Sequence, residues 1–306
     1  MSHDARIVAR GYTAPKLPGV NLFLWNKRRA ASTDTKGTVL FVHGSSMASQ
    51  PCFDLRVGGS SEYSVMDSFA ALGWDCWCFD CEGYGRSDKH RDRFFDIADG
   101  ADDLEAVTAF ITAQTGAQKF YICGGSSGAL RAALFAQRHP ERIARLALDA
   151  FVWTGEGSPT LAERRKRLPQ FLAQKRRPLD VAFIQTIFER DHPGSANPKV
   201  VEAFAQAVIE LDTSIPNGTY IDMCSNLPVV DPEKVTVPTL VMRGEWDGIA
   251  SFEDVAAFFA RLPNPDRQLT VMPGIAHSSF TGRNHALAKH ILHAFFSQPE
   301  PEFTGT

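Results

Sequence analysis

Three residues far apart in the chain have the types and settings that nucleophilic catalysis needs. Residues 122–129 have the sequence ICGGSSGA, in which an apolar strand leads into the pattern GxSxG and then into a helix-like segment. This context predicts a sharp turn that strains the backbone of Ser126 and lifts its hydroxyl clear of a sheet. Glycines two positions on either side are needed because a Cβ atom there would strike the neighbouring strand or helix. Ser126 is therefore the predicted nucleophile.

A serine nucleophile needs a base to accept its proton and an acid to orient that base. Asp247 lies in EWDG, directly after the predicted strand at 238–244, and His277 lies in PGIAH, directly after the next strand. Both positions are loops at the carboxyl ends of strands, and the chain order serine, acid, histidine is one in which such triads occur. Glu245 is the weaker candidate for the acid, and the other histidines have poorer positions. The predicted catalytic triad is Ser126, Asp247 and His277.

The negatively charged oxygen of a tetrahedral intermediate needs two backbone N–H donors. Ser127, directly after the nucleophile, is expected to supply the first. The second is expected from the loop at 41–47, FVHGSSM, where Ser45 is a better candidate than Ser46 because it directly follows a tight His-Gly turn. Gly and Ser also form ordinary turns, so this interpretation depends on the nucleophile motif.

Short apolar strands alternate with amphipathic helical segments around these residues. The alternation predicts an α/β fold in which helices flank a mostly parallel central sheet. Residues 20–26 are expected instead to belong to a hairpin arm that pairs antiparallel at the sheet edge. The helix at 129–137 is apolar nearly all round and should be buried. Sheet strands are expected at 38–42, 74–79, 119–123, 146–150, 239–243 and 268–272.

More than eighty residues separate the expected strand at 146–150 from the one at 239–243, several times the usual α/β connection. Helical spacing of apolar residues in this interval predicts a small helical cap over the triad. The expected domains are a core of residues 1–151 and 237–306 and a cap of residues 152–236. Aromatic residues could form the substrate pocket, although each is individually more typical of a cap core: Phe151, Trp153, Phe183, Phe188 and Tyr220.

The predicted cap also carries a run of basic residues with a single acid, Glu163, among them. A solvated helix face explains most such runs. The alternative is that some of these charges attract a substrate that bears a carboxylate. The basic residues are Arg164, Arg165, Lys166, Arg167, Lys175, Arg176 and Arg177.

Composition predicts one compact chain. The 306 residues, 44% of them hydrophobic and 22% charged, suffice for one large core with an insertion. A net charge of −3 does not indicate the basic surface that binds nucleic acid. No apolar run approaches the roughly 20 residues of a membrane-spanning helix. The N-terminal sequence lacks the apolar centre of a signal peptide, so we expect a cytoplasmic location without nucleic-acid or membrane partners. The sequence leaves open whether the protein forms a homo-oligomer.

Three of the six cysteines, Cys76, Cys78 and Cys81, lie in or beside one predicted strand. They are expected to pack as small apolar groups. A metal site is the alternative, but the spacing CxCxxC has no second His or Cys cluster to complete it. We expect no metal and no organic cofactor.

Four segments give the chain a resemblance to the α/β-hydrolase fold superfamily, within its esterase, lipase and C–C hydrolase branch with an HG oxyanion loop and a helical cap. The resemblance implies that fold, and it implies mainly structural roles for the Asp and Arg of the second segment. One departure is about a dozen additional residues between His43 and Trp74, so substrate access is expected to differ there. The segments are VHGSS at 42–46, DCEGYGRSD at 80–88, GGSSG at 124–128 with AQRHPER at 136–142, and GEWDGI at 244–249 with PGIAH at 273–277.

The resemblance implies a serine hydrolase of the carboxylesterase class (EC 3.1.1) that cleaves a small-molecule carboxylic ester, thioester or lactone through an acyl-enzyme. Two alternatives stay open. One is hydrolysis of a carbon–carbon bond in a vinylogous 1,5-diketone with the same triad, whose dianionic substrates the basic cap would suit. The other is a ligand-binding protein that has kept the triad. Serine as nucleophile disfavours haloalkane dehalogenases and soluble epoxide hydrolases, which use aspartate.

Overall fold

The fold is centred on one eight-stranded sheet in the order β1-β2-β4-β3-β5-β6-β9-β10. A computed structural model of the protein describes residues 6–30 and 35–303, so the ends of the predicted core, 1–5 and 304–306, lie outside the described residues. The mostly parallel α/β sheet predicted from the sequence is confirmed. The strands are β1 Ile7–Leu17, β2 Val20–Arg29, β3 Thr38–Val42, β4 Asp75–Phe79, β5 Phe120–Gly125, β6 Ile143–Asp149, β9 Thr239–Gly244 and β10 Arg267–Met272, while β7 and β8 form a separate ribbon described below.

Strand direction changes only at one edge of this sheet. β1 and β2 form an antiparallel hairpin, and β2 pairs antiparallel with β4, as expected for residues 20–26. All pairs from β4 to β10 are parallel. Successive residues of β3 point to opposite faces, so Leu40 and Val42 join one core cluster while Val39 and Phe41 join the other. Both faces are apolar because helices cover both of them.

Five helices supply most of the two covering layers. Among the described residues, no helix is at once long enough and apolar enough to cross a membrane. Residues 127–136 of the helix after Ser126 are all buried, which confirms the expectation for that segment. One layer contains α2 (Val65–Ala71) and α11 (His285–Ser297), and the other contains α3 (Ile97–Thr115), α4 (Ser127–Arg138) and α10 (Phe252–Arg261).

The segment between His43 and Trp74, which carries the additional residues, contains α1 (Ser49–Phe53), a loop and α2. Two isolated β-bridges, Asp54 to Ser64 and Val57 to Ser60, close the loop. The ammonium group of Lys27 on β2 holds this segment to the sheet, because it lies 2.6 Å from a carboxylate oxygen of Asp54 and 2.8 Å from one of Asp67.

Residues 150–238, between β6 and β9, are mostly helical, and we call them the insertion. Side-chain caps explain where several of its helices begin, since Ser158, Asp180 and Asn197 each accept a hydrogen bond from an amide of the first turn. The insertion also contains a short two-stranded ribbon, which was not predicted because three-residue strands carry no measurable periodicity. The insertion contains α5 (Pro159–Arg165), α6 (Leu168–Ala173), α7 (Val181–Glu189), α8 (Pro198–Ile209) and α9 (Gly218–Ile221), with the antiparallel ribbon β7 (Arg176–Pro178) and β8 (Ser214–Pro216).

The turn between β5 and α4 is crowded by backbone on two sides. Ser126 has φ 55° and ψ −124°, and its amide donates to the carbonyl of Asp149 at 2.8 Å. A Cβ added at Gly124 would lie 2.4 Å from the carbonyl oxygen of Gly128, and one added at Gly128 would lie 2.2 Å from that of Val42. Only glycine fits either position without a backbone shift.

We expect Gly128→Ala to lower the free energy of unfolding by ~3 kcal/mol or more, because its methyl group would overpack a site walled by backbone. The matched control is Gly125→Ala, since a Cβ at Gly125 would meet no atom within 4 Å. Urea denaturation monitored by circular dichroism measures both variants. Equal stability of the two variants would contradict the steric argument.

Candidate active site

Ser126, His277 and Asp247 meet at the carboxyl edge of the parallel strands. Nε2 of His277 lies 3.0 Å from Oγ of Ser126, and Nδ1 lies 3.0 Å from each carboxylate oxygen of Asp247. The Asp247 side chain is fully buried and that of His277 is 9% exposed. The structure thus brings the three predicted residues into one hydrogen-bonded chain.

The carboxylate of Asp247 is held in its ionised form. Burial would raise the pKa of Asp247, but the charge and hydrogen bond of His277 and the amides of Ile249 and Ala250 outweigh burial, and the pKa lies below its ordinary value. An ionised carboxylate only accepts hydrogen bonds, so Nδ1 of His277 carries the proton. Nε2 is then the nitrogen that can accept the proton of Ser126.

The rejected candidates for acid and base have other partners. Glu245 accepts a hydrogen bond from the amide of Gly274 at 2.8 Å. Nε2 of His43 accepts from the amide of Cys81 at 2.9 Å, and Nδ1 lies 2.7 Å from the carbonyl oxygen of Gly44. Burial and the charge of Arg131 lower the pKa of His43 to about 3. His43 is therefore a neutral residue with a structural role.

The loop that contains Ser45 lies beside the nucleophile. A Cβ added at the adjacent Gly44 would lie 3.4 Å from that of Ser126. The Ser45 carbonyl accepts hydrogen bonds from Arg177 at 3.1 Å and Tyr84 at 3.3 Å, which fix this part of the loop. Ser127 is the first residue of α4, so its amide is one of the donors that have no acceptor within the helix. The oxyanion roles of Ser45 and Ser127 stay predictions.

A cavity of about 100 Å³ opens at Ser126 and is lined by both the core and the insertion. A second, larger cleft of about 850 Å³ lies in the insertion and shares Arg164 and Arg190 with this catalytic cavity. The two arginines therefore mark the boundary between the two spaces. The apolar residues that line the catalytic cavity are Met47, Cys52, Phe53, Ile187, Phe204 and Phe280.

None of the five aromatic candidates lines the catalytic cavity, and three of them have the core role that was the more typical one. Phe151, Trp153 and Phe188 belong to the hydrophobic core, while Phe183 and Tyr220 line the larger cleft. The reason is that apolar spacing identifies a buried face without saying what the face packs against.

The cavity aromatics that sequence reasoning missed are Phe53, Phe204 and Phe280. Two of them carried a usable signal: Phe280 follows His277 by three residues, and Phe53 lies in the additional segment whose effect on access was expected. Phe204 lies on α8 and carried none, because only the docking of the insertion brings α8 to the cavity.

The basic run of the insertion divides into exposed and buried members. Three members are exposed, which fits a solvated face: Arg165, Lys166 and Arg167. Arg177 is buried, and Arg164 is half-buried where it lines both the catalytic cavity and the larger cleft. Among the described residues, neither Arg164 nor Arg177 forms an ion pair, although Lys166 pairs with Glu163. A solvated face is therefore the wrong interpretation for these two arginines.

Arg164 and Arg177 stack instead on one buried aromatic ring. Their guanidinium carbons lie 4.3 Å and 3.5 Å from the ring centroid of Tyr220. The Tyr220 hydroxyl lies 3.1 Å from Oγ of Ser46. Burial would raise the pKa of Tyr220, but the charges of Arg164 and Arg177 outweigh it and lower the pKa to about 7. The two guanidinium charges thus favour the ionised form of the Tyr220 hydroxyl.

Asp149, which sequence reasoning missed, is a second buried acid in the catalytic cavity. It ends β6 and accepts a hydrogen bond from Oγ of Ser279 at 2.7 Å. Burial raises the pKa of Asp149 to about 7, and the negative charge of Asp247 acts in the same direction. Asp149 therefore changes charge near neutral pH beside the nucleophile.

We expect the stability gained by Asp149→Asn to depend on pH. Because the pKa is raised in the folded chain, the contribution of Asp149 to stability is complete below pH 3.8 and is lost as the pH rises through about 7. Asparagine cannot ionise, so the variant should gain up to ~4 kcal/mol relative to wild type between pH 4 and pH 8. Denaturant unfolding at several pH values measures the gain, with the exposed Asp102→Asn as control. A gain that is the same at all pH values would contradict the shift.

The described residues contain one group whose atoms could surround a metal ion, formed by Asp191, Asp247 and His277, with donor atoms within 4.8 Å of one another. Both ring nitrogens of His277 already contact Ser126 or Asp247, so the group is arranged for proton transfer and we assign no metal to it.

The cysteines Cys76, Cys78 and Cys81 are buried and free, which confirms that they pack as small apolar groups.

Comparison with known proteins gives one family match and one curated relative. Residues 33–284 match the family described as Hydrolase_4: Serine aminopeptidase, S33. The relative is a 2-hydroxy-6-oxononadienedioate/2-hydroxy-6-oxononatrienedioate hydrolase of Paraburkholderia phymatum, 29% identical over 127 residues. The matched part is 41% of this chain and 38% of that relative, so it spans well under half of either protein.

Solved structures of similar fold include hydrolases of several kinds. E-2-(acetamidomethylene)succinate hydrolase has a TM-score of 0.67 at 16% identity, with 96% of this chain and 100% of that one covered. An esterase from Thermogutta terrifontis has a TM-score of 0.65 at 20% identity, covering 95% and 100%. The thioesterase domain from the curacin biosynthetic pathway has a TM-score of 0.66 at 16% identity, covering 94% and 99%. At these identities the likeness shows the fold alone.

Proposed function

The chain belongs to the Hydrolase_4 family of α/β hydrolases (Serine aminopeptidase, S33), and on that premise we propose that it is a serine hydrolase that cleaves a carboxylic ester, thioester or lactone. The observation that carries the proposal is the hydrogen-bonded chain from Ser126 through His277 to the buried carboxylate of Asp247. Such a chain activates a hydroxyl that is unreactive on its own.

The proposed reaction has two steps. Oγ of Ser126 attacks the carbonyl carbon while Nε2 of His277 accepts the hydroxyl proton, and Asp247 balances the charge of the imidazolium. The amides of Ser45 and Ser127 donate to the oxyanion. His277 then returns the proton to the leaving group. A water molecule, deprotonated by the same nitrogen, attacks the acyl carbon, and His277 gives that proton to Oγ of Ser126 as the acid leaves.

Replacement of the nucleophile or the base is the direct test. We expect Ser126→Ala and His277→Ala each to lower kcat by ~10³-fold or more on p-nitrophenyl esters from acetate to decanoate, because each removes a group that acts only as part of the set. Exposed residues of the same types supply the controls, Ser225→Ala and His290→Ala, which should keep wild-type rates. Equal rates in all five proteins would mean background hydrolysis only and would overturn the proposal.

The charges around the cavity favour a substrate with an anionic group. Arg164 reaches the catalytic cavity without an ion-pair partner among the described residues, and Arg190 lines it as well. A carboxylate placed at the boundary of the two spaces would pair with a charge that is already partly desolvated. We propose that such a carboxylate lies on the part of the substrate that extends from the small catalytic cavity toward the larger cleft.

A paired assay tests this preference. We expect Arg164→Gln to lower kcat/KM for mono-p-nitrophenyl succinate by ~10- to 100-fold, the usual range for loss of a charged hydrogen bond, and to leave p-nitrophenyl butyrate within ~3-fold. Arg165→Gln removes the neighbouring exposed charge and serves as control. If Arg164→Gln affected the two esters equally, charge recognition by Arg164 would be refuted.

Carbon–carbon bond hydrolysis is the second candidate. Two observations favour it: the arginine pair suits dianionic substrates, and the curated relative is named as a hydrolase of a dioate. Turnover of a vinylogous 1,5-diketone that carries a carboxylate, compared with turnover of the succinate monoester by the same preparation, distinguishes the two. A much larger kcat/KM for the ester would favour the esterase, and the reverse would favour the second candidate.

A further inference from the structure

Asp191 lies beside the triad although it belongs to the insertion. One of its carboxylate oxygens is within 4.8 Å of an Asp247 oxygen and of a ring nitrogen of His277. Its side chain is 3% exposed. A Cβ added at Gly248, the residue after Asp247, would lie 2.5 Å from Oδ1 of Asp191. The insertion therefore places a second carboxylate against the loop that carries the acid.

The hydrogen bonds of Asp191 are incomplete. Oδ1 accepts from Nε of Arg190 at 3.0 Å and lies 3.5 Å from Oγ1 of Thr160. Oδ2 is buried and has no partner among the described residues. A buried carboxylate oxygen without a partner is costly, because the group has lost its hydration without replacement. A positive charge that forms nearby during the reaction would offset this cost.

The adjacent residues anchor Asp191 on both catalytic loops. The His192 ring stacks on Trp246, with centroids 4.6 Å apart and planes 12° apart. The Ser195 carbonyl accepts from the amide of Arg283 at 2.8 Å, on the loop after His277. Asp191 is thus fixed between two contacts, one to the loop of the acid and one to the loop of the base.

We propose that Asp191 is a positioning residue that shares the positive charge of the His277 imidazolium with Asp247. The proposal rests on the proposed role of His277 as the base. When Nε2 accepts the Ser126 proton, the new charge lies within reach of two carboxylates instead of one. Arg190 opposes this effect, because its guanidinium pairs with Asp191 and lines the same cavity. Among the described residues, the charged and titratable groups that line this cavity or contact Asp247 or Trp246 are Asp191, Asp149, Arg164, Arg190, Cys52, Arg243 and His192.

The test is an NMR titration of His277 in protein labelled with ¹³C in its histidine rings, with the resonance assigned by its loss in His277→Gln. Removing a negative charge at this distance should lower the pKa of His277 by about one unit in Asp191→Asn. Arg190→Gln should shift it the opposite way, and Asp191→Glu should recover part of the wild-type value. Glu189→Gln, which removes an exposed carboxylate from the end of α7, is the matched control and should leave it unchanged.

The same shift should appear in catalysis. In the pH profile of kcat/KM for p-nitrophenyl butyrate, the apparent pKa of the acidic limb should fall by about one unit in Asp191→Asn, because the base must be neutral to act. A His277 titration that is identical in wild type and Asp191→Asn overturns the proposal. If Asp191→Asn does not fold, an unchanged titration in Arg190→Gln overturns it. The titration needs no turnover, so failure of the proposed hydrolase activity would be seen separately, in the Ser126→Ala comparison.

Discussion

The close approach of three backbone segments around Ser126 is the constraint on which the rest of the site depends. β5 and α4 join so tightly that residues 124 and 128 have no room for a side chain, and the carbonyl of Val42 on β3 closes the remaining space. The backbone of Ser126 therefore adopts a positive φ, and this conformation places its hydroxyl at the edge of the sheet. Parallel strands end at that same edge, so the loops after β9 and β10 deliver Asp247 and His277 to it.

Burial of charge is the second organising feature. Asp247 keeps its ionised form because His277 and two amides outweigh desolvation, whereas Asp149, at the end of the neighbouring strand β6 and with fewer donors, has its pKa raised to about 7. The pKa values of two buried carboxyl groups thus differ because Asp247 has the charge of His277 and more hydrogen-bond donors beside it. Arg164 and Arg177 lack carboxylate partners among the described residues and stack on Tyr220, and of the two only Arg164 lines the catalytic cavity.

The insertion supplies part of the wall of this site. Its α7 and α8 supply Ile187 and Phe204 to the cavity wall, and the residues after α7 contact the loops of both the acid and the base. Arg177 donates to the carbonyl of Ser45, which connects the ribbon of the insertion to the loop expected to bind the oxyanion. Any movement of the insertion relative to the core would therefore alter the catalytic loops as well as access to them.

The sequence by itself determined the α/β sheet and the three residues of the hydrogen-bonded chain. Strand and helix periodicity is a local property, and GxSxG, EWDG and PGIAH each report a local turn at the end of a strand. The strand bounds deviate by a few residues, as at β6, because backbone pairing with β5 and β9 extends or ends a strand regardless of its own composition.

Tertiary structure alone decided what surrounds that chain. Phe204, Arg190 and Asp191 have no motif and lie on an insertion whose docking brings them to the site, so no pattern in the chain marked them. The basic run appeared uniform in sequence, yet packing exposed Arg165 and buried Arg177. Side-chain type and spacing specify local geometry, whereas burial, counter-charge and pKa depend on neighbours that are distant in the chain, and these fix the chemistry of the pocket.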